Sequence, residues 1–92
     1  MVTKVRRNKS PLVDFVVDPN FPGNIIDIVL HVPMTDKHLI TQLRLLFIEI
    51  ARDVGTVVIP AHVAQKVPAK SIEGLWSKRL TSGALHIFHD GI

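Results

Sequence analysis

The sequence predicts an α+β domain, with an N-terminal β-hairpin packed on a long central helix, followed by a short strand, one or two short helices and a C-terminal strand. Three observations predict it. Residues 35–55 repeat large apolar side chains at helical spacing. Residues 12–18 and 25–32 are rich in β-branched side chains and flank dense turn chemistry. A compact β-branched run at 56–59 follows the helix directly.

The central helix has the clearest signals. Leu39, Leu43, Leu46, Phe47, Ile50 and Val54 fall three or four apart and share one face, whereas Lys37, Gln42, Arg44, Glu49, Arg52 and Asp53 fall mostly elsewhere. Thr35 is the expected N-cap, Asp36 suits the positive first turn, and Gly55 stands where a left-handed residue is wanted. Ile40, Leu45 and Ile48 extend the apolar surface beyond the main stripe. They are the candidate interface residues for a neighbouring protein.

Ahead of the helix, the stretch at 12–18 sets Val13, Phe15 and Val17 on one side of a strand. Residues 19–24, PNFPGN, read as a hairpin loop. The stretch at 25–32 then sets Ile26, Ile28, Leu30 and Val32 on an apolar face, and Pro33 ends it. After the strand at 56–59, Pro60 and Pro68 bracket a short helix at 61–67. A second helix is predicted at 71–81, with Ser71 as its cap and Ile72, Leu75, Trp76 and Leu80 on one stripe. Trp76 is accordingly expected in the core or at an interface. Gly74 costs this helix on the order of 1 kcal/mol relative to alanine, so it depends on packing. A final strand is expected at 84–88.

A length of 92 residues sustains one modest core. The predicted division is a basic N-terminal arm at 1–10 and a single α+β domain at 11–92. A hydrophobic share of 47% and a mean hydropathy of +0.29 are high for a chain this small, which favours a homo-oligomer or a subunit of a larger complex. With no cysteine, disulfides, thiol catalysis and cysteine-ligated zinc are excluded. No apolar run approaches the roughly 20 residues of a membrane span. Pro11, Asp14 and Asp18 interrupt what would follow the basic start in a secretory leader. A cytoplasmic protein that does not engage membranes is expected.

A net charge of +3 permits contact with nucleic acid. Its candidate residues are Lys4, Arg6, Arg7 and Lys9 in the arm, and Lys66, Lys70, Ser77, Lys78 and Arg79 further on. The order of a long helix, a short strand, two helices joined at Pro68-Ala69-Lys70 and a closing strand resembles a winged helix-turn-helix domain, although proline stands where glycine is usual in the turn. That resemblance implies a second helix in the major groove, offering Lys70, Glu73, Ser77 and Lys78 to bases or phosphates while Lys66 and Arg79 reach the backbone. The plainer reading of the same residues is a solvated helix surface.

No constellation points to catalysis. Asp14, Asp18, Asp27, Asp36, Glu49, Asp53, Glu73 and Asp90 are scattered singly, and no glycine-rich turn of phosphate-binding spacing precedes a helix. His86 and His89 are three apart, which on a strand sends them to opposite faces, so no metal site and no cofactor are predicted. The function expected is that of a small basic non-catalytic accessory or regulatory protein that binds nucleic acid, DNA more than RNA, as an oligomer. The alternative is an interaction or assembly subunit that binds no nucleic acid.

Overall fold

The computed structural model describes residues 4–5 and 12–88. Its frame is a mixed sheet of six strands in the order β1-β2-β3-β4-β6-β5, with one long helix on one face, an α+β fold as predicted. The strands are β1 (Lys4–Val5), β2 (Val13–Asp18), β3 (Phe21–Leu30), β4 (Thr56–Ile59), β5 (Ser77–Arg79) and β6 (Leu85–Phe88). The helices are α1 (Lys37–Val54), α2 (Ala61–Ala64) and α3 (Ala69–Ile72).

β2 and β3 form the expected hairpin, but its turn is tighter than the loop at 19–24. Asp18 pairs with Phe21, leaving Pro19 and Asn20 at the bend, and the Asp18 carboxylate accepts the Asn20 N–H at 2.9 Å. Pro22, Gly23 and Asn24 belong to β3 instead. Gly23 is needed there for space: a Cβ at this position would collide with the Thr56 carbonyl and lie 2.7 Å from a Val54 methyl. The backbones of β3 and β4 therefore approach closely, and they pair in parallel through Asn24 and Val58.

α1 is capped at its N-terminus by Asp36, not by Thr35. The Asp36 side chain accepts the N–H groups of His38 at 2.8 Å and Leu39 at 3.2 Å. A turn closed by the Asp36 N–H on the Pro33 carbonyl sets this residue, one further along, at the cap. Gly55 ends the helix at φ +86° as expected, and its N–H bonds the Ala51 carbonyl.

Because α1 leaves β3 and returns to β4, it lies across the middle of the sheet. Leu39, Leu43, Leu46, Phe47, Ile50 and Ala51 are buried against Val13, Phe15, Val17, Ile25, Ile28, Val57, Ile59, Leu85 and Ile87. The rings of Phe15 and Phe47 stack at 6.0 Å across this layer.

The predicted helix at 71–81 does not form. α3 ends at Ile72, Glu73 is already extended, and Gly74 turns the chain at φ +81°. Ser71 does not cap a helix; it is buried, and its hydroxyl donates to the Pro68 carbonyl at 2.7 Å. From Trp76 onward the chain runs as a hairpin strand against β6. With two helices of four residues each and a strand at Ser77–Arg79, the helix-turn-helix arrangement is absent.

Candidate nucleic-acid interface

The two faces of the sheet follow from register. Residues directly opposite on antiparallel strands share a face. Val57, Ile87 and Ser77 lie in one row, and Ile59, Leu85 and Arg79 in another, both on the side of α1. The alternate residues form the opposite, open face. There Lys78 lies beside His86, which lies beside Val58, which in turn pairs with Asn24. The same register sets Trp76 opposite Phe88 and Phe88 opposite Thr56, and the Phe88 N–H bonds the Trp76 carbonyl at 2.9 Å.

Trp76 is 64% exposed, which overturns its expected place in the core. Phe88 and His86 are half-buried, with their rings edge to face at 5.9 Å. Ser77, Lys78 and Arg79 are all exposed. Arg79 donates to the Gly83 carbonyl at 3.1 Å, so its guanidinium is steered along the β5–β6 turn.

The open face continues past Val58 into a shallow cavity of about 320 Å³ lined by Asp18, Asn24, Ile25, Ile26, Val58, Pro60 and His62. His62 Nε2 meets the Ile26 carbonyl at 3.0 Å and fixes the rim. Beside it, Asp27 accepts the Ile28 N–H at 2.8 Å and the Lys66 ammonium at 3.2 Å. The Ile28 N–H, and then Lys66, hold the Asp27 carboxyl below its ordinary value against the opposing effect of burial. Further along the hairpin, the buried Asp14 carboxylate lies 2.8 Å from His31 Nε2.

The basic residues singled out from the sequence are only partly brought together. Lys78 and Arg79 stand side by side on β5. Lys4 is on β1, at the opposite edge of the sheet, about 24 Å away if five strand spacings are counted. Lys66 is engaged by Asp27 at the end of α2. Lys70 is exposed on α3, where its carbonyl and that of Glu73 accept from the guanidinium of Arg44 on α1. Arg6, Arg7 and Lys9 lie outside the described residues, as does His89.

Of the candidate interface residues, Leu45 is 56% exposed, whereas Ile40 and Ile48 are half-buried. Ile40 lines a second cavity with Met34, Thr35, Pro68, Ala69 and Lys70. Among the described residues no three histidine or acidic side chains gather as metal ligands would, and no helix is long and apolar enough to cross a membrane.

Trp76 was missed as a surface residue because the pattern at 72, 75, 76 and 80 also fits a helical stripe, whereas His86 and Phe88 lie on the strand expected at 84–88. The signal that finds Trp76 is the alternation of Trp76, Lys78 and Leu80 with Ser77 and Arg79, between glycines at 74 and 83. No protein-family model, curated protein or solved structure matches this chain.

Proposed function

We propose that this chain is a small basic, non-catalytic accessory or regulatory protein that binds nucleic acid as an oligomer. The observation that supports this reading is the β5 edge: Lys78 and Arg79 are exposed on a strand with no acidic residue, directly after an exposed tryptophan. Adjacent cations without local anions attract phosphates, and the aromatic ring offers an apolar surface to bases. Contacts from the basic N-terminal arm belong to the same proposal.

The test is binding of a fluorescein-labelled oligonucleotide, followed by anisotropy at increasing salt. Affinity should fall linearly on logarithmic axes, and replacing Lys78 by alanine should lower the magnitude of the slope by about 1, the signature of one lost phosphate contact. No binding at low salt overturns the proposal.

A second reading, an assembly subunit without nucleic acid, is favoured by the exposure of Leu45 on α1 and of Met34 beside the second cavity. Under it, Leu45→Gln lowers the mass of the protein in solution, measured by light scattering. An unchanged mass counts against Leu45 as the contact.

A further inference from the structure

We infer that the open face of β4, β6 and β5 is a platform for single-stranded nucleic acid, with bases laid on Trp76 and Phe88 and the phosphate chain following the β5 edge past Lys78. This rests on the nucleic-acid reading and names the ligand class for it.

Three features of the face point to a single strand. The first is aromatic placement. Register sets Trp76 and Phe88 next to each other on adjacent strands of one face, and the edge of His86 against Phe88 restrains the Phe88 ring. Base stacking needs an accessible flat ring, and the one tryptophan of the chain is 64% exposed. A duplex keeps its bases stacked inside and gives such a ring nothing to cover.

The second is the distribution of charge. The cation of the open face, Lys78, lies on β5, whereas Asp18 lines the cavity at the far end of the same face and Asp27 is paired with Lys66. Phosphates are thus favoured along β5 and disfavoured toward β2 and β3. Bases then point inward across Phe88, His86 and Val58, toward the Asn24 amide and the Asp18 carboxylate, both of which suit base edges.

The third is that edge protection does not account for the arrangement. Lysine and arginine on a short edge strand discourage pairing with another sheet, and that alone explains Lys78 and Arg79. It does not explain an exposed tryptophan in line with Lys78, since a large apolar ring on an edge promotes the association that the charges oppose.

The absence of other tryptophans and of tyrosine makes Trp76 emission a direct reporter. The full chain is titrated at low and high salt with oligothymidylate and oligouridylate of about 12 nucleotides, within the range that small single-strand-binding domains cover, and with a duplex of similar charge. The expected result is quenching of Trp76 by either single strand, with tighter binding than to the duplex. Trp76→Ala should weaken binding at least about tenfold at an unchanged salt slope, because it removes a stacked base and no phosphate contact. Trp76→Phe should retain most of the affinity. The sugar giving the tighter complex identifies RNA or DNA as the source of the strand.

Salt-dependent binding with no quenching and no effect of Trp76→Ala overturns the platform and leaves the wider nucleic-acid reading standing. Preference for the duplex does the same. No binding to any probe overturns both.

Discussion

The two faces of the sheet are built from alternate residues of the same strands, yet they differ in composition and in what they meet. On the covered face, Val57, Ile59, Leu85 and Ile87 are buried beneath α1. On the open face, the neighbours of those residues are Val58, His86 and Phe88, all half-exposed, with Lys78 and Trp76 beyond them. A strand can serve a core and a surface at once because its side chains alternate at every residue. Stability thus rests on the covered face, and the chemistry of the open face is free to vary.

Substitutions on the two faces should therefore have very different effects. The largest is expected from Phe47→Ala, which removes the ring stacked on Phe15 and opens a cavity in the helix-sheet layer. It should cost about 3–5 kcal/mol in urea unfolding, whereas Lys78→Ala on the open face should stay within about 0.5 kcal/mol. Comparable losses from the two would remove the distinction between the faces. An intermediate effect is expected from Asp36→Ala, which uncaps the helix that covers the sheet without touching its core. Loss of the bonds to the N–H groups of His38 and Leu39 should cost about 1 kcal/mol, seen as a lower unfolding midpoint at constant urea dependence.

The smallest effect is expected at Asp27, on the rim of the open face. Its folded-state pKa is lowered, chiefly by the Ile28 N–H and then by Lys66, so its stabilising contribution is present above the ordinary value of 3.8 and is lost as pH falls through the lowered value. The pair is well exposed, and the contribution is about a few tenths of a kcal/mol. Asp27→Asn should narrow the stability gap to the parent protein as unfolding is repeated from neutral pH to below 3.8. A gap that widens instead would contradict the sign of the shift.

The helix-sheet layer was legible in the sequence because each of its signals is local and repeated. α1 spans Lys37–Val54 within the predicted 35–55, and β4 coincides with the predicted run at 56–59. The cap moved by one residue, from Thr35 to Asp36, because both residue types can cap and the turn after Pro33 decides between them. The hairpin loop was overestimated because Pro22, Gly23 and Asn24 are turn formers by composition. Here they lie in β3, where the glycine makes room for the Thr56 backbone.

The candidate site was less legible. Ile72, Leu75, Trp76 and Leu80 have helical spacing, but Ile72 and Leu75 pack against the core while Trp76 and Leu80 flank the short strand β5. The positive φ of Gly74 separates the two regimes. A left-handed glycine is permitted by the sequence and required only by the path of the chain.

By itself, then, the sequence determined that there is an amphipathic helix closing on Gly55, a β-branched hairpin before it and a short strand after it, since periodicity and caps act over a few residues. Tertiary structure alone decided that β6 inserts between β4 and β5, that Lys4 and Lys78 stand at opposite edges, and that Trp76 faces outward. Those outcomes depend on which strands pair across long separations, and pairing is decided by burial of the whole covered face against α1 rather than by any one stretch of chain.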